Sequence, residues 1–243
     1  MITATGLTKK YHKTTVLDNV SFTINNGTIV GIVGSNGAGK STLISMIASI
    51  IKPTKGDIVI KGGRIGYVPQ EITLFPNLTV KENLTFWDTI SNSHHSKKRK
   101  ENIEHIIQVA NLEDYFYKKV SQLSGGLKRR LNIAVSLLSH PNILIMDEPT
   151  VGMDISSRSE IVAFIKALSS DGTTVIYVSH HADEIEKLCT HILCLNQGHL
   201  VFNGTKDKLK SLYPGEEMHD IIFKISSSTT LDERGGNETH NIN

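Results

Sequence analysis

The run Thr28-Ile29-Val30-Gly31-Ile32-Val33 is apolar and of strand length, and Leu43, Ile47, Ile50 and Ile51 recur at helical spacing. Between them stands Gly34-Ser35-Asn36-Gly37-Ala38-Gly39-Lys40-Ser41-Thr42, which fits G-x-x-x-x-G-K-[ST]. A strand, a glycine-rich loop and a helix in that order constrain the chain to an α/β architecture with a nucleotide phosphate site at the joint. The glycines let backbone N–H groups turn inward around phosphate oxygens, and the helix N-terminus adds a partial positive charge. Lys40 is expected to hold the β- and γ-phosphates as a point charge. The Ser41 hydroxyl is expected to ligate Mg²⁺.

Bulk properties remove several classes. The 243 residues carry 26 basic and 24 acidic side chains, a net charge of +2, so no global field points to nucleic acid. The run Lys97-Lys98-Arg99-Lys100 follows Ser91-Asn92-Ser93-His94-His95-Ser96 and reads as a solvated loop entering a helix. Cys189 and Cys194 are too few for a disulfide framework and lack zinc-ligand spacing, so they read as core residues. The segment Met1-Ile2-Thr3-Ala4-Thr5 lacks the basic start and apolar run of a signal peptide, and no membrane-spanning stretch is expected.

Strands and helices alternate along most of the chain, which predicts a largely parallel sheet around the nucleotide site. Between about Thr79 and Ser139 the pattern is helical throughout. There Thr79-Val80-Lys81-Glu82 is a capping box, Ile103, Ile106, Ile107 and Ala110 share a face, and Leu127 to Leu138 repeats at helical spacing. Asn142 to Met146 and Thr174 to Val178 read as buried strands on either side of a helix from about Ile155 to Leu168. His191 to Leu195 and Leu200 to Val201-Phe202 read as a hairpin with its turn at Asn196-Gln197-Gly198-His199. From Ser226 to Asn243 the chain is polar and is expected to be a disordered tail.

Asp147 and Glu148 end the buried run Ile143 to Met146, where carboxylates at the carboxyl end of a strand face the phosphates. Asp147 is expected to hold the Mg²⁺ shell, and Glu148 to polarise the attacking water as general base. Leu123-Ser124-Gly125-Gly126, followed by a helix, offers a second glycine-rich helix start and so a second anion site. With these motifs in this order, residues 1 to about 215 resemble the ATP-binding-cassette (ABC) ATPase family.

The resemblance implies a P-loop NTPase (RecA-like) core over about 1–78 and 140–215, with an antiparallel β subdomain and a helical subdomain inserted over about 79–139. The ATPase domain is then 1–225, followed by the tail at 226–243. It assigns Ser124, Gly125 and Gly126 to the nucleotide of a partner subunit in a head-to-tail dimer. Tyr11 matches the adenine-stacking position, with Val16 packing beside it; on residue type alone Tyr11 also reads as an exposed loop aromatic. Gln70, in Tyr67-Val68-Pro69-Gln70, matches the glutamine that reaches Mg²⁺ and the lytic water, although a glutamine after proline also suits a plain surface. Asp154 matches the aspartate that joins the two sites, and it also suits a helix cap. His180 matches the histidine that contacts the γ-phosphate, while His181 fits no motif. Leu127 replaces a common glutamine and Val151-Gly152-Met153-Asp154 departs from the commoner pattern. With Lys128-Arg129-Arg130, otherwise an exposed basic helix face, these departures resemble ATPase subunits of bacterial ABC-2 type exporters for drugs, antibiotics or bacteriocin immunity.

The implied function is ATP-driven export through a separate transmembrane permease. It involves ATP and Mg²⁺, a homodimer or a heterodimer with a second ABC ATPase, no direct nucleic acid, and a cytoplasmic position at the inner face of the membrane. A soluble ABC ATPase acting on ribosomes or DNA is the alternative, disfavoured by a single cassette and a short insert. Leu74, Phe75, Leu78, Phe86 and Trp87 are expected to leave part of an apolar surface open, where the resemblance implies that a cytoplasmic helix of the permease docks, although Leu74 and Phe75 also suit closing the local core.

Overall fold

A computed structural model describes residues 1–92, 96–170 and 172–227. Its strands are β1 (Ile2–Tyr11), β2 (Thr14–Ile24), β3 (Ile29–Gly34), β4 (Lys55–Ile60), β5 (Ile65–Val68), β6 (Ile143–Asp147), β7 (Thr174–Val178), β8 (His191–Asn196) and β9 (His199–Thr205). Its helices are α1 (Lys40–Ile47), α2 (Val80–Asn92), α3 (Ser96–Val109), α4 (Gly125–Leu137), α5 (Ile155–Ser170), α6 (Ala182–Leu188), α7 (Lys206–Leu212) and α8 (Met218–Ser227).

Two sheets form. One is antiparallel, in the order β2-β1-β4; the other has the order β5-β6-β7-β3-β8-β9 and is parallel except for the β8–β9 hairpin. The central strands are apolar at nearly every position because both faces of that sheet are covered. Alternate residues divide between two cores. Val30, Ile32, Ile143, Ile145, Ile176 and Val178 face the antiparallel sheet and α1. Ile29, Val33, Leu144, Met146, Val175 and Tyr177 face the layer built from α2 to α8. The fold is therefore the expected α/β arrangement with an added antiparallel sheet.

The local signals explain where the elements stop. The capping box holds, with Thr79 N donating to Glu82 Oε2 at 2.7 Å and Glu82 N to Thr79 Oγ1 at 3.2 Å. Ile103, Ile106, Ile107 and Ala110 are all buried, as their spacing requires. Both cysteines are buried as free thiols, and burial pushes each up to about 12, which keeps them neutral core residues. Gln197 and Gly198 take positive φ between β8 and β9, as a two-residue hairpin turn demands.

Three expectations are corrected. Ile50 does not share the apolar face of the first helix: α1 ends at Ile47, Ser49 turns left-handed at φ 60°, and Ile50 points to solvent. The basic stretch Lys128 to Arg130 is not uniformly a solvent face, because Arg129 is buried. Arg99, in the other basic run, lies 3.4 Å from the buried Asp88 carboxylate. Residues 93–95 of the expected loop lie outside the described residues. So does the expected polar tail, apart from Ser226 and Ser227, which end α8. Among the described residues no helix is long and apolar enough to cross a membrane.

Leu131 is wholly buried on α4, where that helix meets the core under the parallel sheet. Leu131→Ala should lower unfolding stability by about 3 kcal/mol, since the cavity adds to the lost transfer energy. Denaturant titration reads this as a lower midpoint at unchanged slope. A shift worth less than about 1 kcal/mol would show that α4 is not integral to this core.

Candidate functional site

Because the central strands run parallel, their carboxyl ends share one edge. Four neighbouring strands, β5, β6, β7 and β3, deliver Gln70, Asp147 with Glu148, His180 and the Gly34–Thr42 loop to that edge in turn. Ligands of open α/β sheets sit at this edge.

The loop is shaped by close backbone approach. Gly34 has φ 147°, and a Cβ there would lie 2.1 Å from Leu195 O. Gly39 has φ 103°, and a Cβ there would meet Leu17 Cδ2 at 2.7 Å and Val16 O at 2.9 Å. Neither place admits a side chain, and the second seats the loop against Val16. Lys40 opens α1 from a buried position, its ammonium donating to Gly34 O at 2.8 Å and Ser35 O at 3.0 Å. Burial lowers its pKa, while the carboxylates of Glu148 and Asp147 act the other way. Burial and the like charge of Glu148 raise the pKa of Asp147, against the opposing pull of Lys40 and His180. The edge thus holds a cation and two acids at close quarters.

Glu148 is a non-glycine residue at φ 47°, and its N–H donates to Val178 O at 3.0 Å, tying the end of β6 to the end of β7. Such left-handed residues cluster where strain serves a site. His180 Nε2 lies 2.6 Å from Glu148 Oε1, so the structure joins these two site residues directly. Gln70 and Ser41 are exposed, and Tyr11 is exposed with Lys9 Nζ 5.2 Å from its ring centre.

Ser124, Gly125, Gly126 and Asp154 group elsewhere. Ser124 caps α4, its Oγ accepting from Leu127 N at 3.3 Å. Asp154 accepts from Ser157 N at 3.0 Å and Ser157 Oγ at 2.7 Å, which caps α5 and lowers its pKa. Ser157 Oγ lies 3.4 Å from where a Gly126 Cβ would stand, so the two helix starts adjoin. Among the described residues no hydrogen bond joins Ser124 to Gly126 with the Gly34–Thr42 loop. One chain therefore presents two glycine-rich helix starts, at Lys40 and at Gly125, with no hydrogen bond between their loops among the described residues.

Three buried polar side chains that motif reading passed over hold the loop carrying Gln70. Arg129, 4% exposed, donates from α4 to Pro69 O at 2.9 Å and to Gln70 O. Asn132 Oδ1 accepts from Thr73 N at 3.2 Å, and Asn83 Oδ1 accepts from Phe75 N at 2.8 Å. Their sequence signal was slight: an arginine and two asparagines at core positions of helices. Beyond this loop Phe75, Phe86 and Trp87 form one aromatic group, with ring centres 4.7 to 6.2 Å apart, and Phe75 and Phe86 are 40% and 41% exposed.

Comparison with known proteins agrees with this geometry. The ABC transporter family profile matches residues 17–151. The linearmycin resistance ATP-binding protein LnrL of Bacillus subtilis (strain 168) is 40% identical over 239 residues, covering 94% of this chain and 75% of that protein. The ABC transporter ATP-binding protein NatA of the same strain is 32% identical over 245 residues, covering 93% of this chain and 97% of NatA. Among solved structures, the dimeric post-hydrolysis state of the ATP-binding cassette MJ0796 bound to ADP and Pi superposes with a TM-score of 0.74 at 28% identity. It covers 84% of this chain and 98% of that one.

Arg129→Met should leave the Pro69 and Gln70 carbonyls without their charged donor. The expected cost is about 2 kcal/mol. Amide exchange across residues 69–73 should quicken more than exchange in β6 and β7; equal protection in both proteins would show that Arg129 does not hold the loop.

Proposed function

The chain belongs to the ABC transporter family as an ATP-binding, ATP-hydrolysing subunit, and from that membership we propose how its own residues divide the work. In this reading Gly34, Ser35, Asn36, Gly37, Ala38, Gly39, Lys40, Ser41 and Thr42 cradle the phosphates, and Tyr11 stacks on the base beside Val16. Glu148 is the general base, and His180 and Gln70 position the lytic water and the γ-phosphate. The observation that carries it is the 2.6 Å contact of His180 Nε2 with Glu148 Oε1 at the strand edge that the glycine loop and Lys40 also face. A base must first be within reach of the proton it takes, and the electrostatic influence of Glu148 on Lys40 supports setting the terminal phosphate beside this pair.

Mg²⁺ fits the donors at hand: the Ser41 hydroxyl and the Asp147 carboxylate are hard oxygens, and the like charge of Glu148 on Asp147 favours a cation there. Gln70, whose amide oxygen is also a hard donor, would join Ser41 and Asp147 in holding the ion. Bound there, it would neutralise developing charge on the phosphates. Lys40 exchanges its loop carbonyls for phosphate oxygens, and Glu148 accepts the water's proton while His180 stays aligned by their contact. The protein supplies position and electrostatics rather than covalent chemistry.

Ser124 to Gly126, with Asp154 adjoining, act in this reading on nucleotide held by a second ATPase subunit, identical or paired, in a head-to-tail dimer. Their separation from the Gly34–Thr42 loop within one chain supports that. The cassette spans 1–225, with about 79–139 as the helical subdomain, and a separate transmembrane permease docks at the inner face of the membrane on the segment from Glu71 to Ile90 that leads into it. The exposed aromatic group at Phe75 and Phe86 supports docking there. LnrL is a resistance protein by its name, and the 40% identity supports export of a drug-like or antibiotic molecule by this chain too.

Glu148→Gln should cut turnover by at least about a hundredfold while ATP stays bound and the dimer persists in sedimentation with Mg²⁺; Lys40→Ala should instead lose ATP binding. A Glu148→Gln protein hydrolysing ATP at the original rate would remove the base assignment. For the docking surface, Phe75→Asp should spare folding and ATP binding yet abolish co-purification with the permease. Unchanged co-purification would place the contact elsewhere.

A further inference from the structure

The buried carboxylate of Glu184 takes no part in the reading above, yet it touches the chain beside two residues that do. It stands in the first turn of α6, 1% exposed. Its Oε1 accepts from Thr150 Oγ1 at 2.7 Å. Its Oε2 accepts from Tyr177 OH at 2.7 Å and from Ser179 Oγ at 2.6 Å. Arg158 Nε of α5 approaches Oε1 to 3.7 Å. Thr150, Tyr177 and Ser179 are themselves buried.

An ionised carboxylate only accepts, and here three hydroxyls donate to it with a guanidinium 3.7 Å away. Left alone at that depth the charge would be costly, and with these partners it becomes a fixed node. The two oxygens serve different loops. Thr150 lies just after Glu148, in the segment leaving β6. Ser179 lies just before His180, at the end of β7, and its Oγ also accepts from His181 N at 3.0 Å. The backbone amide past His180, the Ser179 hydroxyl and the carboxylate therefore form one continuous hydrogen-bonded chain. Tyr177 OH is held un-ionised by burial and by the Glu184 charge, so the phenol keeps its proton and donates it in a hydrogen bond to the carboxylate.

We propose that Glu184 is a positioning residue for ATP hydrolysis: one buried carboxylate holds Thr150 and Ser179, and so sets the distance and angle between Glu148 and His180. The inference rests on the roles given above to those two residues. A carboxylate that merely docked α6 on the sheet would need no partner in the segment after Glu148, whereas Oε1 has one. The gain from holding reacting groups in place is steep, since a displacement of about 1 Å can cost a hundredfold in rate.

The test uses the full chain and measures ATP affinity at equilibrium and steady-state hydrolysis. Glu184→Ala and Ser179→Ala should each lower kcat about tenfold or more while ATP affinity stays within about twofold, and Glu184→Gln, which keeps shape and one acceptor oxygen, should recover part of the loss. The decisive measurement is a double-mutant cycle: in a His180→Ala background, Glu184→Ala should cost less than about twofold more, because the Glu148–His180 pair whose geometry it sets is already broken. Independent, multiplicative losses would reduce Glu184 to a structural prop and overturn the proposal. Should Glu184→Ala not fold, Ser179→Ala and Glu184→Gln decide alone: both with the original kcat overturn it. If Glu148→Gln is inactive while these variants are fully active, this inference fails and the base assignment stands. If Glu148→Gln is active, both fall together.

Discussion

The structure depends on a concentration of charge at the carboxyl edge of an apolar sheet. Lys40 is buried, Asp147 and Glu148 stand within electrostatic reach of it, and the shifts at Lys40 and Asp147 both begin with desolvation. Such a group is tolerable only where backbone dipoles and polar partners hold it. The loop carbonyls of Gly34 and Ser35 take the ammonium, and the backbone of Val178 and the ring of His180 take Glu148 from two sides. Glycines at positive φ make the first arrangement possible by removing side chains that would strike Leu195 O and Val16 O. In the proposed reading, a phosphate brought into this edge would meet the Lys40 ammonium near the Glu148 carboxylate.

The loops at this edge are held from behind by buried polar side chains on other layers. Arg129 and Asn132 reach from α4, Asn83 from α2 and Glu184 from α6. Each ties a site loop to a helix whose other end or face lies elsewhere in the molecule. The loop at Gln70 is bound to α4, the helix that Ser124 caps, and it runs on to the exposed aromatics at Phe75 and Phe86. Hydrogen bonds of this kind are directional, so a rotation of α4 would carry the loop with it.

Much of this was legible in the chain because it rests on local rules. The glycine loop between a buried strand and a helix, the acids at the end of β6, the capping box at Thr79 and the two-residue turn at Gln197-Gly198 each encode their own geometry within a few residues. The resemblance of the motifs to one family then named the remaining site positions, and the family itself is borne out by comparison. Where local rules fell short, the reason was tertiary. Ile50 kept helical spacing beyond the point where Ser49 turned the chain, and Arg129 looked like one more charge on a basic helix.

By itself the sequence determined the strand, glycine loop and helix around Gly34 to Thr42, the buried strands that end at Asp147 and Val178, and the closing hairpin, since strand, turn and cap signals act between near neighbours. Only the tertiary structure decided that Glu148 meets His180, that Arg129 carries Gln70, and that Glu184 gathers Thr150, Tyr177 and Ser179. These pairings cross between strands or layers that are distant in the chain or turned away from one another in an isolated segment. Parallel strand order brings their ends to one edge, and the cost of leaving a buried polar atom unpaired then selects which side chains meet there.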